Sequence, residues 1–116
     1  MAPAIILDRD GRFVMAVGSP GGNSIIAYNL KAIVAYLDWK LPLQEALALP
    51  NVVARGPGTQ GEPAKFAPGV AEALLAKGIN VRPGAGEESG LHALGARDGV
   101  LEGAADPRRP GVARGL

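Results

Sequence analysis

Cysteine is absent from this chain of 116 residues, so the sequence excludes a disulfide framework, a thiolate metal site and a cysteine nucleophile. Histidine occurs once, at His92, and one histidine is a poor basis for a zinc site. Hydroxyl side chains are also scarce, because the chain contains a single threonine, Thr59, and three serines. This short inventory supports few kinds of active site, and we expect neither a metal ion nor a cofactor.

An excess of charge of one sign is also lacking. Lysine and arginine number 12 and aspartate and glutamate number 11, which leaves a formal net charge of +1. A balanced chain of this kind has no electrostatic footprint for nucleic acid, so we expect no nucleic-acid partner. No apolar run is long enough for a membrane span, and the residues after Met1 lack the pattern of a signal peptide.

Aromatic residues are too few to fill a core by themselves, and the remaining core candidates are alanine, valine, leucine and isoleucine. The length predicts one domain over residues 1–116. Because its core is thin, we expect this domain to be marginally stable or to be buried against another chain. The five aromatic residues are Phe13, Tyr28, Tyr36, Trp39 and Phe66.

Two pairs of apolar runs, each separated by an Asp-Gly turn, predict two antiparallel hairpins. The first pair is residues 4–7 and 13–17, and the second is 91–96 and 100–105. Asp-Gly favours a hairpin because glycine adopts the positive φ that tight turns need. The first two runs do not alternate strictly, which indicates a strand buried on both faces, as in the inner sheet of a layered fold.

Apolar spacing and helix-end signals predict three helices among these strands. The longest covers residues 24–39, where apolar residues recur at helical spacing, and a short one covers 43–49. The third covers 68–78, with proline at its start and glycine at its end. We expect loops at 55–65 and 83–90, a strand at 79–82 and an irregular tail at 106–116, which makes the fold class α+β.

A serine triad is arithmetically available but weakly supported. Ser19 could join His92 and either Asp98 or Asp106, although Val17 stands where a Gly-x-Ser-x-Gly elbow needs its first glycine. Such combinations arise by chance in any chain of this size. We therefore keep a Ser19 esterase only as a third hypothesis and interpret His92 as a structural residue.

The segment Gly18-Ser-Pro-Gly-Gly-Asn23, between a predicted strand and a predicted helix, is the strongest candidate for chemistry. Gly21 and Gly22 leave their backbone N–H groups unobstructed at the positive end of the helix dipole, which suits an anion or a developing oxyanion. The alternative is a tight strand-to-helix turn without a ligand. No lysine occupies the P-loop position, so a nucleotide phosphate is a poor candidate.

Four segments together resemble one protein family. They are Met1-Ala-Pro-Ala-Ile-Ile-Leu-Asp, Gly18-Ser-Pro-Gly-Gly-Asn-Ser-Ile-Ile, Glu45-Ala-Leu-Ala-Leu-Pro50 and Gly103-Ala-Ala-Asp-Pro-Arg-Arg-Pro-Gly111. Their order and spacing are similar to those of the C-terminal part of the small subunit of the γ-glutamyltranspeptidases. The resemblance extends over nearly the whole chain.

The resemblance implies a fold, an activity and two site residues. The fold is the αββα sandwich of the N-terminal nucleophile hydrolases, made by autocleavage of a longer precursor, and members are commonly periplasmic or extracellular. They transfer or hydrolyse the γ-glutamyl group of glutathione and related amides through a threonine freed at the N-terminus of the small subunit. The glycines that match Gly21 and Gly22 form the oxyanion hole.

The resemblance also implies that this chain is a fragment. It matches the family only after the nucleophilic threonine and after the serine pair that binds the α-carboxylate, and Thr59 cannot replace that nucleophile. We therefore expect the isolated chain to be inactive. Its expected partner is the remainder of the precursor, meaning the large subunit and the N-terminal part of the small subunit, or a second copy of itself. The alternative is a non-catalytic folding or interaction module of the same fold.

Overall fold

A computed structural model describes residues 2–84 and 88–115 of the chain. The described residues form seven strands and three α-helices, and two single 3₁₀ turns lie at Gly22–Ser24 and Pro63–Lys65. In chain order the elements are β1 (Ala4–Leu7), β2 (Phe13–Gly18), α1 (Ile25–Leu37), α2 (Leu43–Ala48), β3 (Val52–Arg55), β4 (Gly58–Gly61), α3 (Val70–Ala76), β5 (Val81–Pro83), β6 (His92–Arg97) and β7 (Val100–Ala105).

Both predicted hairpins are present, and they join into one antiparallel sheet with the order β1-β2-β6-β7. The turn between β6 and β7 consists of Asp98 and Gly99, which have φ values of 52° and 76°. A type I′ turn requires positive φ at both central residues, and for this reason the Asp-Gly pair predicts a hairpin turn here. In the first hairpin, the Asp8 carboxylate accepts from the Asp10 and Arg12 N–H groups at 2.9 Å.

One face of this sheet packs against α1 and α2, and the core lies between them. Met15, Val17 and Ala93 point from the sheet into this layer, where they meet Tyr36 and Leu47. Strand β6 carries a glycine where the Tyr36 side chain of α1 meets the sheet: a Cβ at Gly95 would lie 2.5 Å from the Tyr36 Oη. The absence of a side chain at Gly95 therefore makes room for the Tyr36 ring.

The opposite face of the sheet is open in the described residues. Its exposed side chains include Ile5 on β1, Leu94 on β6 and Leu101 on β7, at 73 %, 57 % and 76 % exposure. The expectation of burial on both faces is therefore met on one face only within this chain. The irregular tail covers part of the open face, because Gly111 lies against His92 and Ala113 lies near Gly103.

The prediction of a loop over residues 55–65 was wrong. These residues include the end of β3, all of β4 and a 3₁₀ turn, and β3, β4 and β5 form a second, three-stranded sheet in which β4 and β5 are parallel. Strand β4 has no apolar alternation to reveal it. Its last residue is buried by backbone packing instead, since a Cβ at Gly61 would overlap the carbonyl oxygen of Asn51.

The remaining predictions differ from the structure mainly at element ends. Helix α1 is Ile25–Leu37, shorter than the predicted 24–39, and α3 is Val70–Ala76, shorter than the predicted 68–78. Strand β5 is Val81–Pro83, displaced from the predicted 79–82. Of the predicted loop at 83–90, residues 85–87 lie outside the described part of the chain. No described helix is long and apolar enough to cross a membrane.

Candidate functional site

The segment from Gly18 to Asn23, called the glycine turn below, connects the end of β2 to the start of α1. Gly21 has φ 135° and ψ 24°, and Gly22 has φ 55°. Residues that carry a side chain rarely adopt these backbone conformations, which explains why two successive glycines occupy these positions. Gly21 is buried and Gly22 is exposed, which places the pair at the edge between the interior and the surface.

The N–H groups of the two glycines lie at the N-terminal end of α1. The hydrogen bonds that close this turn use glycine carbonyls as acceptors: Ser24 N–H donates to Gly21 O at 3.0 Å, and Ile25 N–H donates to Gly22 O. In neither bond does a glycine N–H donate. Helix N-termini leave such donors without an intrahelical partner, and the helix dipole favours negative charge beside them.

Ser19 joins the glycine turn to the start of β6. Its buried Oγ donates to the carbonyl of Pro20 at 2.6 Å and accepts from the N–H of Gly90 at 3.0 Å. The Nδ1 of exposed His92 lies 3.2 Å from the carbonyl oxygen of the same Gly90. The Ser19 hydroxyl is therefore engaged by backbone groups on both sides.

The structure does not assemble the serine triad that the sequence allowed. His92 begins β6 and Asp98 follows its end, so the two are separated by about 20 Å of extended chain. Asp106 is buried, but its carboxylate accepts from the Ser89 hydroxyl at 2.5 Å and from Arg108 at 3.0 Å. Among the described residues, no group of three histidine, cysteine, aspartate or glutamate side chains could hold a metal ion.

A polar cluster close to Ser89 was not predicted from the sequence; we call it the arginine cluster. At its centre, the Arg108 guanidinium bonds both oxygens of Glu62, at 2.9 and 2.6 Å, and Asp106 at 3.0 Å. It also donates to the Leu49 carbonyl at the end of α2, at 2.9 Å. The side chains of the cluster are Lys31, Asn51, Glu62, Ser89, Asp106 and Arg108.

Lys31 also binds the end of α2. Its Nζ donates to the carbonyls of Leu47 and Leu49 at 3.0 and 2.8 Å, and to the Asn51 side chain at 2.8 Å. The Asn51 amide in turn donates to Ser89 at 2.8 Å. The cluster therefore fastens the end of α2, the start of β3 and the segments that flank β6 and β7 to one another.

Burial and ion pairing shift the pKa values of the cluster in different directions. Burial alone would raise the pKa of Glu62, but hydrogen bonds from Arg108, the Asn51 N–H and Lys65 lower it to about 2. Hydrogen bonds from Ser89 and Arg108 likewise outweigh burial and lower the pKa of Asp106. For Lys31, burial is the main cause and lowers its pKa to about 8.

The arginine cluster includes two residues of a segment that contributed to the family resemblance. Asp106 and Arg108 belong to that segment, Gly103–Gly111, but the positions of Glu62 and Ser89 predict loops. Glu62 could not be linked to Arg108 from spacing, because their bonds join residues 46 positions apart. The Pro-Arg-Arg sequence directly after Asp106 was the available signal that this aspartate is paired rather than catalytic.

An antiparallel sheet with helices packed on one face is part of the N-terminal nucleophile hydrolase fold. Solved structures with that fold are similar to the whole chain. The γ-glutamyltranspeptidase of Pseudomonas nitroreducens matches with a TM-score of 0.83 and 27% sequence identity, covering 100% of this chain and 62% of that one. The transpeptidase CapD of Bacillus anthracis matches with a TM-score of 0.74 and 28% identity, covering 99% and 70%.

The chain belongs to the Gamma-glutamyltranspeptidase family, whose family model matches residues 1–116. It is 38% identical over 113 residues to the Acylase ACY 1 proenzyme of Pseudomonas sp. (strain SE83), covering 97% of this chain and 20% of that protein. It is 33% identical over 109 residues to the Glutathione hydrolase proenzyme of Escherichia coli (strain K12), covering 93% and 19%. The chain therefore spans about one fifth of the length of these relatives.

Proposed function

We propose that residues 1–116 are the C-terminal part of the small subunit of an enzyme that transfers or hydrolyses γ-glutamyl groups. In this proposal, the N–H groups of Gly21 and Gly22 form the oxyanion hole. The backbone of the glycine turn carries the proposal, because both glycines have positive φ and their N–H groups lie at the start of α1. Family membership supports the reaction class, and its relatives include a glutathione hydrolase.

The proposed reaction begins when a nucleophile attacks the amide carbonyl of the substrate. The carbonyl oxygen then gains negative charge, and N–H groups held in place stabilise it without having to reorganise. The nucleophile would come from outside residues 1–116. Thr59 is unsuited to that role, because it lies inside β4, paired with Ala54 and Val81, and has no free α-amino group.

The substrate class follows from the family and is an amide of a γ-glutamyl group, such as glutathione. One relative is named an acylase, so amides of other acyl groups are the second candidate class. The isolated chain is proposed to be inactive on both. A non-catalytic folding or interaction module is the alternative, and the extensive arginine cluster is the observation that favours it.

The remainder of the precursor is the proposed partner, and the chain presents two apolar surfaces for it. One is the open face of the sheet that contains β1, β2, β6 and β7. The other is a groove of about 890 Å³ between α1, β3 and α3, whose walls include exposed Ile26, Leu30 and Trp39. Exposed apolar areas of this kind mark interaction sites, and self-association through the sheet face is the alternative.

Release of p-nitroaniline from γ-glutamyl-p-nitroanilide tests this function. The complete precursor, meaning the longer polypeptide in which residues 1–116 form the C-terminal part, is expected to release it after maturation. The isolated chain is expected to release none above a heat-treated control. Turnover by the isolated chain that disappears in Ser19→Ala would support the esterase hypothesis instead, and a matured precursor without turnover would contradict the proposed activity.

A further inference from the structure

Ser19 is a buried serine whose hydroxyl both donates a hydrogen bond to the backbone around the glycine turn and accepts one from Gly90. It donates to Pro20 O at 2.6 Å and accepts from Gly90 N–H at 3.0 Å, and only 1 % of the residue is exposed. The second of these bonds connects segments 71 residues apart in the chain. A serine whose only role was to keep a surface loop hydrophilic would not be buried between the Pro20 carbonyl and the Gly90 N–H.

The Pro20 carbonyl belongs to the same peptide unit as the Gly21 N–H. A trans peptide is planar, so its C=O and N–H point in opposite directions, and the described chain contains no cis peptide bond. When Ser19 holds the Pro20 oxygen, it therefore also fixes the direction of the Gly21 N–H. A hydrogen bond to the carbonyl additionally polarises the N–H of that unit and makes it a stronger donor.

Gly90 keeps the Ser19 hydroxyl in this orientation. Its N–H occupies the acceptor side of Oγ, so the hydroxyl proton is directed toward Pro20 O. The position has no room for a side chain, because a Cβ on Gly90 would lie 2.9 Å from Pro20 Cγ and 2.7 Å from Arg109 Cδ. Arg109 also donates to the carbonyl oxygen of Glu88, two residues before Gly90, at 2.8 Å.

We propose that Ser19 is a positioning residue for the oxyanion hole: held by the Gly90 N–H, it orients the Pro20–Gly21 peptide so that the Gly21 N–H faces the reacting carbonyl oxygen. This inference rests on the proposed function. Ser19 does not touch the substrate and exchanges no proton with it. Ser19 acts only through the Gly21 N–H, which stabilises the transition state.

The test compares Ser19→Ala with Thr59→Ala in the complete precursor, using active-site-titrated enzyme so that poor maturation does not imitate a slow reaction. Loss of Ser19 is expected to lower kcat about three- to ten-fold, the rate equivalent of one hydrogen bond, with KM unchanged. The affinity for a boronic acid that mimics the tetrahedral intermediate should fall by the same factor. Thr59→Ala removes a hydroxyl from the other sheet and should leave all three quantities unchanged.

Ser19→Cys serves as a second variant, because it preserves side-chain size while replacing the hydroxyl with a weak S–H donor. Both variants should show the fall in kcat and in boronate affinity. If both retain full kcat while Gly22→Ala loses activity, the positioning role is overturned and the oxyanion hole stands. If Gly22→Ala also retains full kcat, the proposed oxyanion hole itself fails.

Discussion

Arg108 and Glu62 are joined by two hydrogen bonds, from Nε to Oε1 at 2.9 Å and from Nη2 to Oε2 at 2.6 Å. The arginine side chain is 4% exposed and the glutamate side chain is 22% exposed. Such a bidentate pair has fixed geometry and brings together the segment after β4 and the segment after β7. It therefore connects the three-stranded sheet to the four-stranded sheet.

Removing the arginine is expected to destabilise the fold strongly. Arg108→Gln leaves fully buried Asp106 without its cation and leaves Glu62 with only exposed Lys65, and removing one partner of a buried pair costs about 3 to 5 kcal/mol. Urea unfolding measures the loss. Arg114→Gln is the matched control, because Arg114 is exposed in the tail, and it should leave the free energy of unfolding nearly unchanged.

Acid is expected to weaken the fold through Glu62. Its pKa in the folded chain is about 2, below its usual value of 4.5, so the unfolded chain binds a proton more readily. The stabilisation is therefore present above about pH 4.5 and is lost as the pH falls toward 2. The fall in unfolding free energy across this window should be smaller in Glu62→Gln, and an equal fall in both proteins would contradict the pairing.

Alkali is expected to act in the opposite sense through Lys31. Its pKa in the folded chain is about 8, below the usual 10.5, so the folded chain releases this proton first. The free energy of unfolding should gain a positive contribution between these two pH values. The contribution is measured as the difference between the wild-type and Lys31→Met curves of unfolding free energy against pH. Lys77→Met changes an exposed lysine, and its curve should not differ from the wild-type curve in this way.

Self-association of the isolated chain is expected to occur through the open sheet face. Leu94 is 57% exposed at the middle of β6, and sheet faces of this kind associate to remove apolar surface from water. Sedimentation equilibrium should show a dimer or larger assembly that Leu94→Lys disrupts. Leu75→Lys is the control on α3, where the leucine is equally exposed. A wild-type monomer would show that this face does not pair.

The hairpins and helices were predictable because their signals are local. Asp98-Gly99 specifies a turn by its own backbone preference, and proline and glycine mark helix ends. Strand β4 was missed because its sequence, Gly-Thr-Gln-Gly, has no apolar pattern of its own, although it pairs with neighbouring β3 and with β5. A polar strand leaves no apolar period in the sequence, whichever strands it pairs with.

The same distinction applies to the candidate site. Gly21 and Gly22 could be selected from the sequence because their position between strand and helix implies a special backbone. The bond from Gly90 to Ser19 and the bonds from Arg108 to Glu62 join residues 71 and 46 positions apart. Neither could be predicted from spacing, since each depends on how the hairpins and the second sheet come together.

The kcat of Gly22→Ala in the complete precursor decides whether the glycine N–H groups form an oxyanion hole. Alanine at φ 55° strains the backbone, and we expect this strain to move its N–H away from the oxyanion. Loss of an oxyanion donor lowers kcat by about 10² to 10³. Gly58→Ala is the matched control, because a Cβ there has no neighbour within 4 Å and should leave kcat unchanged. We expect kcat to fall in matured Gly22→Ala and to stay unchanged in Gly58→Ala, and a Gly22→Ala enzyme that matures and turns over normally would show that these N–H groups do not form an oxyanion hole.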